Sequence, residues 1–458
     1  MKKLYATIFL AFIFLNSFAQ VWSNIGSGAQ NTTGDYPAVY SMLVFNDELY
    51  VAGCFTSIKG VPASYIAKFD GTNWSPVGNG FTHTGNSTIM YSGVKALAVF
   101  NGELYAGGVM DRSGSTPIYN VAKWDGNSWQ PVGNLASGSS VLSLCVFNNE
   151  LYAGGFIYGH HSIVKWNGSA WLSLGGGMQD SIGLPALVRD MRVFDNKLYI
   201  GGQFYTGGGV QSRNLITFDG LHFAAIGSGA IGEYGITKLG EYNNNLIITG
   251  GFTDVNGIPF NNIAQFDRTT WTTFSTGAGY PGGYSFDVQP VINYNNSMYV
   301  GGYMSNAGPV SVNGIARWDG TSWMGVGSGH NGVIGSMAVY HDELYVGGNF
   351  TIAGGIPALN IAKLKDGTLD INEADNNSSL NVYPNPFSTE ATIQTKTNFQ
   401  NATLTVVDCY GQIVRQIKNL SGNTLIFSRE ELAAGIYMVQ LTLESKVIAG
   451  GKIVITEK

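Results

Sequence analysis

One motif recurs seven times along this chain of 458 residues, and it limits the fold more than any other feature. Its second copy reads VFNGELYAGG over residues 99–108, followed by NVAKWDGNSW over residues 120–129. The glycine closing the first segment falls at Gly53, Gly108, Gly155, Gly202, Gly251, Gly302 and Gly348. A period of about 50 residues describes one supersecondary unit stacked on copies of itself, because a single unit cannot bury its own apolar face.

Each unit resolves into four short strands. In the second copy an apolar run, Val94 to Phe100, ends at Asn101-Gly102, a pair suited to two-residue hairpins. Leu104 to Met110 follows, then Asn120 to Trp124, and Asp125-Gly126 turns the chain into Trp129 to Val132. Asp-Gly recurs at Asp70-Gly71, Asp219-Gly220 and Asp319-Gly320, with Asn167-Gly168 as a variant, since such turns favour residues that tolerate positive φ. The Gly pair within the second strand is expected to let neighbouring backbones approach closely. Four antiparallel strands per repeat, stacked radially, predict an all-β, seven-bladed β-propeller.

Closure is read from the fourth strand. Its aromatic recurs at Trp74, Trp129, Trp171, Phe223, Trp271 and Trp323, one short of the seven Gly pairs. VWSNIGSG at residues 21–28 supplies the missing strand, with Trp22 matching Trp323. A ring closed by both chain ends leaves few open edges. With these features the unit resembles the kelch-like class of propellers over residues 21–367. It departs in its third-strand aromatic, a Phe or Trp beside Asp. The DGTNW turn is similar to the Asp-box of sialidases but lacks the residue that separates Asp from Gly there, so it is read as a turn device.

Composition agrees with this architecture. Charged residues are only 12%, glycines number 63, and 44% apolar residues suffice to bury a core of short strands joined by Gly-rich turns. The net charge of −6 disfavours nucleic acid and anionic membranes as partners. Lys2 and Lys3, the apolar run Leu4 to Leu15 and Ser17-Phe18-Ala19 are read as a signal peptide over residues 1–19, cleaved after Ala19. The run is shorter than the roughly 20 residues of a membrane span, and no transmembrane segment is expected elsewhere. Cys54, Cys145 and Cys409 make no disulfide framework. The first two read as buried small apolar residues.

After Gly367 the composition shifts. Residues 368–379 are polar and Asn-rich, a linker. Pro384 and Pro386 then mark an edge strand or rigid turn, and alternating runs at 402–407, 412–417, 436–443 and 446–455 predict a small immunoglobulin-like β-sandwich over residues 380–458. NVYPNPF at 381–387, DCYGQIV at 408–414, LAAGIYMV at 432–439 and KIVI at 452–455 occur in order. With them the segment resembles the type A C-terminal sorting domain of the type IX secretion system of Bacteroidetes. The resemblance implies that Asn381, Tyr383, Pro384, Asn385, Pro386, Gly411, Gly435, Tyr437 and Lys452 carry the sorting signal. It also implies passage through the periplasm, recognition by the secretion machinery, removal of the tail by its sortase, and release or attachment to surface lipopolysaccharide.

Chemistry is harder to place. Fourth-to-first and second-to-third loops share one face by parity, and long fourth-to-first loops there carry Tyr36, Tyr91, Tyr280 and Tyr284 among amides and carboxylates, a composition suited to glycan or protein ligands. Most first strands are apolar or small, but the fourth carries Arg189, Asp190 and Arg192 and the fifth Lys238 and Glu241, a candidate ligand site or a structural ion-pair cluster. No catalytic residues, metal ligands or cofactor are assigned. The leading expectation is an exported binding module. A carbohydrate-active or oxidative enzyme and a structural surface-layer component are the alternatives.

Overall fold

The computed structural model describes residues 19–32, 37–84, 92–184, 186–279, 288–367, 380–408, 413–443 and 446–457. Among these every regular element is a β-strand. Residues 20–366 form one compact unit, and a second begins at Gly367.

The first unit consists of seven four-stranded antiparallel sheets. The second sheet is typical, with strands Gly93–Phe100, Glu103–Val109, Val121–Trp124 and Trp129–Pro131, each within a residue or so of the sequence expectation. First strands pack in succession from sheet to sheet, and that of the seventh sheet, Val333–Tyr340, packs on that of the first, Ala38–Phe45. The fourth strand of the seventh sheet is Ala19–Asn24, paired with Ile361–Gly367. There Trp22 is 9% exposed and joins the core of the sixth and seventh sheets.

Local sequence dictates these hairpins. First-to-second turns use two consecutive positive-φ residues, such as Asn148 (50°) with Asn149 (58°) and His341 (47°) with Asp342 (57°), the geometry whose twist matches antiparallel strands. In third-to-fourth turns the carboxylate caps the backbone: Asp125 Oδ1 accepts the N–H groups of Asn127 at 2.8 Å and Ser128 at 2.7 Å. These bonds, with help from Gln130, lower the Asp125 pKa to about 2. The fourth-strand tryptophans then join sheets. Trp129 Nε1 donates to the Val77 carbonyl of the preceding sheet at 3.0 Å, and Trp171 Nε1 to Val132 at 2.8 Å.

The two glycines of each pair have different duties. The second faces a β-bulge in its own first strand, where the register slips between Val141 and Ser143, for example. A Cβ on Gly155 would land on the Ser140 carbonyl, and one on Gly108 on that of Gly93. The first glycine admits the next sheet: a Cβ on Gly107 would lie 2.7 Å from Val141 Cγ1. In the fifth copy the bulge glycine is Gly250, facing Ile236, and Gly251 lies one residue beyond it. Thr249 stands at the first-glycine position there and bonds the neighbouring sheet instead, its hydroxyl donating to the Gln289 carbonyl at 2.7 Å.

The C-terminal unit is a five-stranded antiparallel sheet of Asn381–Tyr383, Glu390–Val407, Ile413–Ser428, Gly435–Leu443 and Lys446–Ile455. Its second and third strands run well beyond the expected 402–407 and 412–417. Polar residues and register shifts near Phe399 and Ala402 interrupt the alternation that would have revealed their length. Phe387, Leu404, Phe427, Tyr437 and Ile453 are among its buried core.

Candidate functional site

The two ends of the seven sheets differ in character. At one end, among the described residues, lie the two-residue hairpins and third-to-fourth turns capped by Asp or, at Asn167, by Asn. At the other, six of the seven second-to-third connections carry an extra two-stranded hairpin, such as Arg112–Ser113 with Thr116–Pro117. Fourth-to-first loops pair onto several of these hairpins, as Met178–Gln179 does onto Thr206–Gly207.

The third sheet lacks its hairpin. Seven residues, 156–162, separate Gly155 from Ile163, whereas twelve, 109–120, separate Gly108 from Val121. Twelve also intervene in every other copy, counting from Gly250 in the fifth. Beside this gap opens a groove of about 570 Å³, bounded by Phe156, Asp180, Ser181, Ala186, Leu187, the Gln203–Tyr205 segment, Arg213 and Glu233. Its volume lies within the roughly 300–1,000 Å³ of small-ligand sites.

The groove is built on fixed backbone. The Tyr205 N–H donates to the Gln179 carbonyl at 2.8 Å, and the Ser212 N–H to the Tyr205 carbonyl at 3.1 Å. The Arg213 guanidinium lies over the Tyr205 ring at 4.4 Å, within cation–π range. Gln203 Nε2 donates to the Glu233 carbonyl at 2.8 Å, which orients the amide. Asp180 Oδ1 accepts the N–H groups of Ile182 and Leu184, both at 2.9 Å, so this loop presents two exposed apolar side chains at 78% and 55% exposure. Phe156 packs edge-on against exposed Tyr158, with ring centroids 4.9 Å apart.

Of the residues expected to bind ligand, Tyr36, Tyr91, Tyr280 and Tyr284 lie outside the described residues. The charged set is brought together, on the first strands of the fourth and fifth sheets. Asp190 Oδ1 is 4.0 Å from Lys238 Nζ and accepts the Ser143 hydroxyl at 3.3 Å, while Arg192 bonds Glu241 at 2.8 Å. Arg189 is the bulged residue of its strand, between Val188 and Asp190. Burial lowers its pKa. Cys145 lies close by, and burial, then the Asp190 charge, push its thiol up to about 12, so it stays protonated. The loop-face histidines are spread out. His83 sits 3.4 Å from Asp111, His160 bonds Ser173 at 2.8 Å, and His330 is buried with its pKa held down to about 4 by that burial.

In the C-terminal unit, Asn385 pairs side chain to strand: its Oδ1 accepts the Val454 N–H at 2.7 Å and its Nδ2 donates to the Lys452 carbonyl at 2.8 Å. It lies between Pro384 and Pro386. Tyr437 is buried and donates its hydroxyl to the Ala433 carbonyl at 3.0 Å, two residues from Gly435 in sequence. Asn381, Tyr383 and Lys452 are exposed, and Gly411 lies outside the described residues.

The groove residues Phe156, Gln203, Tyr205, Arg213 and Glu233 were not singled out from the sequence. The signal that could have found them is the missing five residues after Gly155.

Comparison with known proteins places the tail. Residues 381–456 match the family described as the secretion system C-terminal sorting domain. This type IX sorting domain marks the chain for export to the cell surface or the extracellular space. Among the described residues no helix is long and apolar enough to cross a membrane. No curated protein matches the chain. One solved structure, described as a novel fungal alcohol oxidase with catalytic diversity among the AA5 family in complex with copper, aligns over 96% of this chain and 95% of its own at 11% identity. Its TM-score of 0.34 is too low to carry fold or chemistry across.

Proposed function

We propose that residues 20–366 are a seven-bladed, kelch-like β-propeller closed by the strand that follows the signal peptide. It serves as an extracellular binding module for a glycan or protein. In this reading the C-terminal unit is an immunoglobulin-like sandwich that the type IX machinery recognises and its sortase removes. The product is then released or held on surface lipopolysaccharide.

One observation carries the binding role: the asymmetry between the two ends of the sheets. One end repeats the same capped turns, and the other varies its loops and encloses a groove. Loops that diverge on a rigid scaffold are where ligand recognition concentrates. The test is to purify the exported protein, screen it on glycan and surface-protein arrays, and measure its metal content. Saturable binding without a bound transition metal or turnover is expected. A stoichiometric transition metal with oxidase activity would overturn this reading.

A further inference from the structure

The loss of one hairpin and the position of the groove are connected. In the other six sheets the second-to-third connection folds into a two-stranded hairpin, and the deletion after Gly155 removes that element from the third sheet alone. Tyr158 there is 40% exposed and packs against Phe156, which stands on the groove wall. Across from them stands Tyr205, 37% exposed and backed by Arg213.

We infer that this gap is the ligand site of the module and that its occupant is a short stretch of polysaccharide. The inference rests on the binding-module reading given above. Three features select the occupant. The walls offer aromatic faces at Phe156 and Tyr205, which suit the apolar faces of sugar rings. Between them stand an oriented amide at Gln203, carboxylates at Asp180 and Glu233 and a guanidinium at Arg213, which suit hydroxyl groups as donors and acceptors. Carboxylates and guanidinium oppose one another in sign, so nothing here favours a polyanion. A groove of about 570 Å³ fits a small ligand or a short segment of a chain. A stable protein partner would instead need about 800 Å² of surface on each side.

Preorganisation supports the same occupant. Tyr205 is fixed by backbone bonds on both sides and by Arg213 against its ring, so little ordering remains to be done on binding. Gln203 takes the position held by Val109 in the second sheet, immediately after the bulge glycine. Its amide is already aimed by Glu233.

The test uses the exported protein and a panel of soluble polysaccharides, namely xylan, laminarin, mannan, dextran and chitohexaose, read by calorimetry. At least one should bind. Tyr205→Ala and Gln203→Ala should each weaken that binding by roughly tenfold with an unchanged melting temperature. Replacing residues 156–162 with the sequence of residues 109–120 should restore a hairpin and abolish binding. Tyr303→Ala, in the sixth sheet, should leave it intact. Polysaccharide binding that survives all three groove variants would overturn the site while leaving the module a glycan binder. Binding of a protein with no affinity for any polysaccharide would overturn the ligand class. A stoichiometric metal with turnover would remove the underlying reading itself.

Discussion

Asp190 Oδ2 accepts the backbone N–H of Leu239 at 2.8 Å, so one carboxylate in the fourth sheet is tied to the main chain of the fifth. The same side chain receives the Ser143 hydroxyl from the third sheet. With Lys238 Nζ 4.0 Å away, this carboxylate acts as a clamp across three consecutive sheets.

That clamp predicts a graded loss of stability. Asp190→Ala should cost about 1–3 kcal/mol, because a backbone N–H is left without its acceptor. Asp190→Asn keeps an acceptor oxygen and should cost less. Urea denaturation of both variants, with polysaccharide affinity alongside, checks this. Affinity falling while stability holds would assign the residue to a ligand.

The two glycines of a pair should respond differently to alanine. At Gly155 the new Cβ meets the rigid Ser140 carbonyl, and a loss above about 3 kcal/mol is expected. At Gly107 it meets the Val141 and Leu144 side chains, which can shift, for about 1–3 kcal/mol. Thermal melts of the pair in parallel measure the difference.

Trp22→Ala should cost about 3–5 kcal/mol through loss of a large buried ring, although the residue lies almost at the start of the strand-forming sequence. Removing residues 20–28 should lower the melting temperature further. An unchanged melt would mean that the seventh sheet closes without this strand.

His330 should make stability depend on pH. Its folded pKa, about 4, lies below its ordinary 6.5, so the unfolded chain takes up the proton first. Its contribution is therefore intact above about pH 6.5 and declines as pH falls toward 4. The cause is a local exchange. In the fourth and fifth sheets an Asn at the entry to the third strand bonds the carbonyl of an alanine, Asn214 to Ala230 and Asn262 to Ala278. In the sixth sheet these places hold Gly314 and His330, and a Cβ on Gly314 would fall on the imidazole. The double variant Gly314→Asn with His330→Ala should flatten the melting temperature between pH 4 and 7, whereas His330→Ala alone should leave a cavity and destabilise at every pH.

Much of the fold was legible because its units repeat. A Gly pair, a turn dipeptide and a fourth-strand aromatic each pointed to the same four strands, and agreement between copies corrected local ambiguity. Copies that drifted misled, as Thr249-Gly250-Gly251 did when a threonine took over the work of a glycine. The groove was less legible because its residues follow no repeat. Phe156, Gln203 and Tyr205 come together through a deletion in one copy and loops in the next, and only the spacing after Gly155 betrays them. The charges at Asp190 and Lys238 were visible as exceptions to an apolar pattern. Their partners, a hydroxyl and a backbone N–H from other sheets, were not visible from composition.

The seating of the strand Ile361–Gly367 also has a mechanical meaning. It is the segment from which the chain leaves toward the tail, and it is paired along both edges, by Glu343–Asn349 on one side and by Ala19–Asn24 on the other. A pull applied at Gly367 along the strand axis would have to shear two ladders at once, whereas a strand at a free edge could be peeled one bond at a time. Residues 19–24 thus turn what would be a peelable edge into a brace along the strand 361–367.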